Sequence, residues 1–159
     1  MSMFGGAAIT DVVLEAIKLG GQRAVLADGG ATLTAENHPG EVFVARAVPH
    51  DWLFPQMAAV VHHGGAGTTG AALRAGKPTV ICPFVGDQSF WGRRVAALGA
   101  GPAPIPIRKL TARQLAEAIQ TAVTDQGMHQ RAASLGEILR AEDGVGRAVE
   151  LIHHRISAR

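Results

Sequence analysis

Four short apolar runs, each broken by glycine or proline before a longer amphipathic stretch, constrain this chain more than any other feature. They are Arg23 to Ala27, Glu41 to Ala45, Ala58 to His62 and Thr79 to Cys82. Runs this short, with little polar alternation, suit strands buried on both faces, and the stretches between them carry the period of helices. That alternation predicts an α/β fold: a doubly wound, Rossmann-like parallel sheet with helices on both faces.

The helices have readable ends. Ile9 to Leu19 forms one apolar face and stops at Gly20-Gly21. Gly65 to Ala75 is a helix of small residues that stops at Gly76, with Lys77 and Pro78 behind it. Asp87 to Leu98 is the next helix, and Ala103 to Ile107 the last extended piece. Thr111 and Gln114 have capping-box spacing at the head of a helix striped by Leu115, Ala118, Ile119, Ala122 and Val123. Two further amphipathic helices, about Met128 to Ala141 and Val145 to Ile156, form a C-terminal tail expected to lie across the sheet. Pro49 to Met57 is too proline-interrupted for more than a turn of helix, and residues 31 to 40 read as a polar loop. No internal repeat or linker divides residues 1–159, which read as a single domain.

The start is unusual. Met1-Ser2-Met3-Phe4-Gly5-Gly6 runs directly into the first helix, whereas a doubly wound sheet begins with a strand at its middle. A first strand is therefore expected to be missing, and an oligomer or strand exchange is one way to fill the gap.

Composition narrows the partners. Lys plus Arg number 15 against 13 Asp plus Glu, Tyr is absent, and no basic patch is interleaved with aromatics. Nucleic acid is thus an unsuitable ligand. Cys82 is the single cysteine, which excludes an internal disulfide and reads as a buried filler. No apolar run reaches membrane-spanning length and no leader pattern opens the chain, so a cytoplasmic protein is expected.

The chemistry concentrates at strand ends. Ala59-Val60-Val61-His62 enters His63-Gly64-Gly65-Ala66-Gly67-Thr68-Thr69 and then a helix. Glycines let an anion approach the backbone, the helix start presents free N–H groups, Thr68 and Thr69 add hydroxyls, and His63 can donate an imidazole N–H. Gly65-Ala66-Gly67-Thr68-Thr69-Gly70 also satisfies the dinucleotide pattern, which makes an NAD(P)-binding oxidoreductase the alternative. Yet the following strand ends at Cys82-Pro83 without the acid that holds a ribose. Asp87-Gln88, after that strand, suits a ring of sugar hydroxyls, although Asp87 can equally cap the helix behind it. His50 beside Asp51 invites a catalytic reading, but adjacent side chains rarely point together, and the aromatics Trp52 and Phe54 that follow read as core or lid packing. His153-His154 lack the i, i+4 spacing of a helical metal pair, and no Asp-x-Asp occurs, so no metal is expected.

Four blocks resemble a known family. Val48-Pro49-His50-Asp51-Trp52-Leu53-Phe54-Pro55, Ala59 through Thr69, Leu73-Arg74-Ala75-Gly76-Lys77-Pro78-Thr79, and Pro83-Phe84-Val85-Gly86-Asp87-Gln88-Ser89-Phe90-Trp91 are similar to the sterol 3-beta-glucosyltransferases. These belong to the UDP-dependent transferases of the GT-B fold, and the match is to the C-terminal, donor-binding half. The resemblance implies that His63, Gly65, Gly67 and Thr68 hold the donor phosphates, with Ser2 near them. It implies that Asp87 and Gln88 hold the donor sugar, and that Val48 and Pro49 lie beside the nucleobase. His62 falls at a more variable position. Two family features are replaced, a ribose glutamate by Ala71 and a uracil-stacking tryptophan by about Ala47, which leaves UDP and TDP both open.

The same resemblance implies an inverting transfer of a hexose, glucose above others, from a UDP- or TDP-sugar to a hydroxyl of a lipophilic small molecule such as a sterol. No cofactor or metal is implied. No catalytic residue is expected in this chain, because the base belongs to an N-terminal acceptor-binding domain. Membrane contact is expected only through a lipid acceptor. A catalytically incompetent nucleotide-binding fragment is a further alternative.

Overall fold

The computed structural model describes residues 6–27 and 41–157. Ser2 and the loop expected at residues 31 to 40 lie outside the described residues. In chain order come α1 (Gly6–Gly20), β1 (Ala24–Ala27), β2 (Val42–Ala45), α2 (His50–Leu53) and a 3-10 turn (Phe54–Gln56). Then follow β3 (Val60–His62), α3 (Ala66–Arg74), β4 (Thr79–Ile81), α4 (Gln88–Ala97), a second 3-10 turn (Ile107–Lys109), α5 (Ala112–Thr124), α6 (Gln126–Ala141) and α7 (Gly144–Ser157).

Among the described residues both strand pairings are parallel, and β3 reaches β4 through α3, the crossover a parallel pair needs. β1 pairs with β2 from Ala24↔Val42 to Ala27↔Ala45, and β3 with β4 from Val60↔Thr79 to His62↔Ile81. Among the described residues the two ladders share no hydrogen bond. In a doubly wound sheet the first strand runs between such ladders.

β4 shows why helices cover both faces. Successive side chains of a strand point to opposite sides, and here both sides are buried. Val80 and Cys82 face one core with Ala16 of α1 and Leu115, Ala118 and Ala122 of α5. Ile81 faces the other, with Leu73 of α3, Val95 of α4 and Ala132 of α6. A third cluster of Phe54, Val60 and Ala72 closes the space between α2, β3 and α3. Cys82 is buried, as its apolar flanks imply, and burial pushes its thiol up to about 11.

The segment expected to be extended at Ala103 to Ile107 does follow β4, with Ile105 N–H donating to Ile81 O and Ile107 N–H to Pro83 O, each at 3.0 Å. Pro83 has no N–H to donate back to this segment, and no regular ladder forms. The helical tail departs from expectation. α5 and α6 pack into the cores, but α7 buries none of its residues. Val145, Val149, Ile152 and Ile156 lie along one side of α7 and are all exposed. No helix among the described residues is long and apolar enough to cross a membrane.

Candidate functional site

The site is built where β3 and β4 end. Alternation along β3 buries Val60, exposes Val61, turns His62 inward and turns His63 outward. Gly64 then takes φ +93°, a left-handed backbone, in a space too small for any side chain. A Cβ there would stand 2.7 Å from Ile81 Cγ2 and 3.0 Å from the Gln88 carbonyl oxygen. This close approach brings the glycine-rich turn against the start of α4, uniting two segments the sequence singled out separately.

His63 lies over Gly65, whose added Cβ would meet His63 Nε2 at 2.6 Å. Gly65 is the N-cap of α3 and makes no side-chain cap, so the first N–H groups of the helix, at Ala66, Gly67 and Thr68, have no intrahelical acceptor. Nothing lies within 4 Å of the place a Gly67 Cβ would occupy, which leaves the turn open to an approaching anion. His63, Gly65, Gly67 and Thr68 thus converge. Thr69 does not join them: it is 1% exposed, and its hydroxyl donates to Gly65 O at 2.9 Å. It braces the turn instead of offering a donor.

His62, passed over on sequence grounds, is the inner half of the pair. Its Nδ1 accepts the Gly64 N–H at 2.9 Å, and its ring meets that of His63 edge to face, centroids 6.0 Å apart. Desolvation first, then the neighbouring His63 and His50, holds its pKa down at about 4, so the ring is neutral and carries its proton on Nε2. Strand alternation from Val60 is the signal that could have found it.

Asp87 and Gln88 head α4. Asp87 is the N-cap residue, but its side chain makes no capping hydrogen bond, which removes the capping reading of that residue. Its Oδ2 instead accepts from Trp91 Nε1 at 2.8 Å. Gln88 Oε1 accepts from the Phe84 and Val85 N–H groups at 2.7 and 3.1 Å, so its amide nitrogen is the part left for other partners. Gly86, between these segments, has φ +68° and lets the loop fold back. On the other flank Val48 is half-buried and Pro49 exposed. The Pro49 carbonyl already accepts from Leu53 N–H at 3.0 Å, which limits what that carbonyl can offer a base. Of the aromatics expected to pack, Phe54 is buried, with His50 stacked on it at a centroid distance of 4.4 Å, whereas Trp52 is exposed. Among the described residues no three of His, Cys, Asp and Glu come together as a metal site requires.

Comparison with known proteins identifies the family. A sterol 3-beta-glucosyltransferase of Arabidopsis thaliana is 45% identical over 148 residues, covering 92% of this chain. Its counterpart in Saccharomyces cerevisiae is 43% identical over 153 residues, covering 94% of this chain. The chain spans about a quarter of the Arabidopsis protein (24%) and 12% of the yeast one. Among solved structures, the spinosyn rhamnosyltransferase SpnG complexed with thymidine diphosphate superposes with a TM-score of 0.79 at 28% identity, covering 94% of this chain and 41% of that one. Residues 12–144 match the model of the erythromycin biosynthesis protein CIII-like C-terminal domain. The chain belongs to that family of glycosyltransferase C-terminal domains, with the GT-B donor-domain fold and a sterol glucosyltransferase-like sequence.

Proposed function

We propose that this chain binds the donor, a nucleoside diphosphate hexose, for an inverting glycosyl transfer to a hydroxyl of a lipophilic acceptor. The observation that carries the reading is the juxtaposition at Gly64. The His63–Gly65 turn at the head of α3 and the Asp87–Gln88 pair at the head of α4 form one site, sized by a glycine that tolerates no side chain. A glucosyl donor and a sterol fit the names of the curated relatives, TDP fits the rhamnosyltransferase complex, and UDP is the nucleotide that the resemblance of the sequence implies. The acceptor and the catalytic base would come from an N-terminal domain.

In that reaction the acceptor oxygen bonds to the anomeric carbon as its proton passes to the base. The bond from that carbon to the phosphate oxygen breaks, and its electron pair leaves with the diphosphate. Charge therefore grows on the phosphate. The positive end of α3, equivalent to roughly half a unit charge, and the His63 imidazole are suited to stabilise it. Asp87 and Gln88 would fix the sugar ring so that the anomeric carbon faces the acceptor.

Calorimetry with UDP, UDP-glucose, TDP and NADH tests the reading. Binding of UDP or TDP, and none of NADH, is the expected result; the reverse overturns it. His63→Ala should weaken diphosphate binding by about tenfold, the scale of one charge-assisted hydrogen bond. Unchanged affinity would make His63 structural.

A further inference from the structure

The N-cap position of α4 is where a carboxylate ordinarily turns back to accept the N–H of the second or third helical residue. Asp87 does not. Its backbone is already helical, φ −77° and ψ −6°, so its side chain is carried along the helix rather than back over its end. One turn on, at the i, i+4 spacing that places side chains together, Trp91 meets it. The indole Nε1–H donates to Asp87 Oδ2 at 2.8 Å, while the Trp91 and Phe90 backbone N–H groups hold the Asp87 carbonyl at 3.1 and 2.9 Å. The Phe90 ring stands edge-on to the indole, centroids 5.2 Å apart.

A carboxylate accepts at both oxygens, and the indole occupies one. We propose that Trp91 is a positioning residue for donor-sugar recognition: its indole N–H fixes the Asp87 carboxylate so that Oδ1 is presented to the sugar hydroxyls. The proposal rests on the donor-sugar role of Asp87 in the proposed function. Gln88 is held in a complementary way, its oxygen bound by the Phe84 and Val85 N–H groups and its amide left to donate. The paired residues therefore present one acceptor and one donor in fixed orientation, and neither has to reorganise when the sugar arrives.

Calorimetry with UDP and UDP-glucose, on a cycle of Asp87→Ala, Trp91→Phe and the double variant, reads this directly. Phe keeps an aromatic ring at this position and removes the donor. Trp91→Phe should lower affinity for UDP-glucose roughly threefold to tenfold, the scale of one hydrogen bond, and leave affinity for UDP unchanged. In the Asp87→Ala background it should cost nothing more. Equal losses for UDP and UDP-glucose, or additive losses in the double variant, would make Trp91 merely structural and overturn the proposal. Should Asp87→Ala itself spare UDP-glucose, the sugar-binding reading fails. A loss with Asp87→Ala and none with Trp91→Phe overturns the positioning role alone. A second measurement needs no Trp91 variant. The chain has two tryptophans, so its nitrogen-correlated spectrum shows two indole N–H signals. Asp87→Ala, which removes the acceptor, should shift one of them strongly and speed its exchange with water; two unmoved signals would overturn the proposal.

Discussion

At the scale of single residues the two histidines divide between fold and ligand. His62 Nδ1 can accept the Gly64 N–H only while it is unprotonated, and its Nε2 is buried without a partner among the described residues. Protonation would break the bond that sets the turn and place charge in a desolvated space. Its folded pKa of about 4 lies below the unfolded value of 6.5, so the unfolded chain holds more protons between those limits. The stability that depends on neutral His62 is thus complete above pH 6.5, falls as pH drops toward 4, and levels off below. Thermal melts across pH 4 to 7 should show this fall. His62→Asn should flatten it, since an amide oxygen can accept the same i+2 N–H in an Asx turn. Identical slopes in both proteins would show that His62 does not carry the effect. Sequence singled out His63, Gly65, Gly67, Thr68, Asp87 and Gln88, and the structure sets the turn at Gly64 against Gln88 at the start of α4. It could not tell that Asp87 forgoes capping, because the decision lies in ψ at that residue and in an indole one turn away.

Elements were legible where a punctuating residue coincided with a change of period. Gly20-Gly21, Gly76 and the Thr111 cap mark real helix ends, and Thr111 Oγ1 accepts the Gln114 N–H as capping-box spacing requires. Less legible was which face of each tail helix meets which neighbour, because amphipathicity states that a face will be buried without naming against what. α6 illustrates it. Gly136, mid-helix and unfavourable there by propensity, is the point where α6 crosses the end of α3 at backbone contact. A Cβ at Gly136 would stand 2.8 Å from Gly76 Cα and 2.9 Å from both Gly76 N and Leu73 O. Backbone atoms cannot rotate aside, so Gly136→Ala should cost about 1 to 3 kcal/mol despite alanine's better helix propensity. Urea denaturation checks it. Gly70→Ala is the control: nothing lies within 4 Å of that Cβ, and propensity alone should stabilise the protein by up to about 1 kcal/mol. If both substitutions act alike, the α3–α6 crossing is looser than this geometry.

For the molecule as a whole, the question is what half of a transfer reaction the chain can perform. A transferase needs a base beside the acceptor, and a base of suitable strength is usually a histidine or carboxylate held by a partner. Among the described residues no histidine lies within ion-pair reach of a carboxylate; the ion pair found is the exposed Arg113–Glu117, a helical i, i+4 contact remote in kind from catalysis. His62 is neutral and turned inward, His63 lies over Gly65, and His50 is stacked on Phe54. In the proposed reaction these groups would stabilise a leaving diphosphate or build the walls around it, and the acceptor's proton would pass to a base outside them. The curated relatives carry their activity in chains of which this one spans about a quarter or less. The chain incubated with UDP-glucose and a sterol should therefore bind the nucleotide sugar yet form no glucosylated sterol. Mass spectrometry of the extracted lipid would detect it. Product from this chain alone would overturn the proposed division of labour and move the base into these residues. His50→Ala and His63→Ala would then separate the two candidates, since loss of turnover with diphosphate affinity intact marks the base.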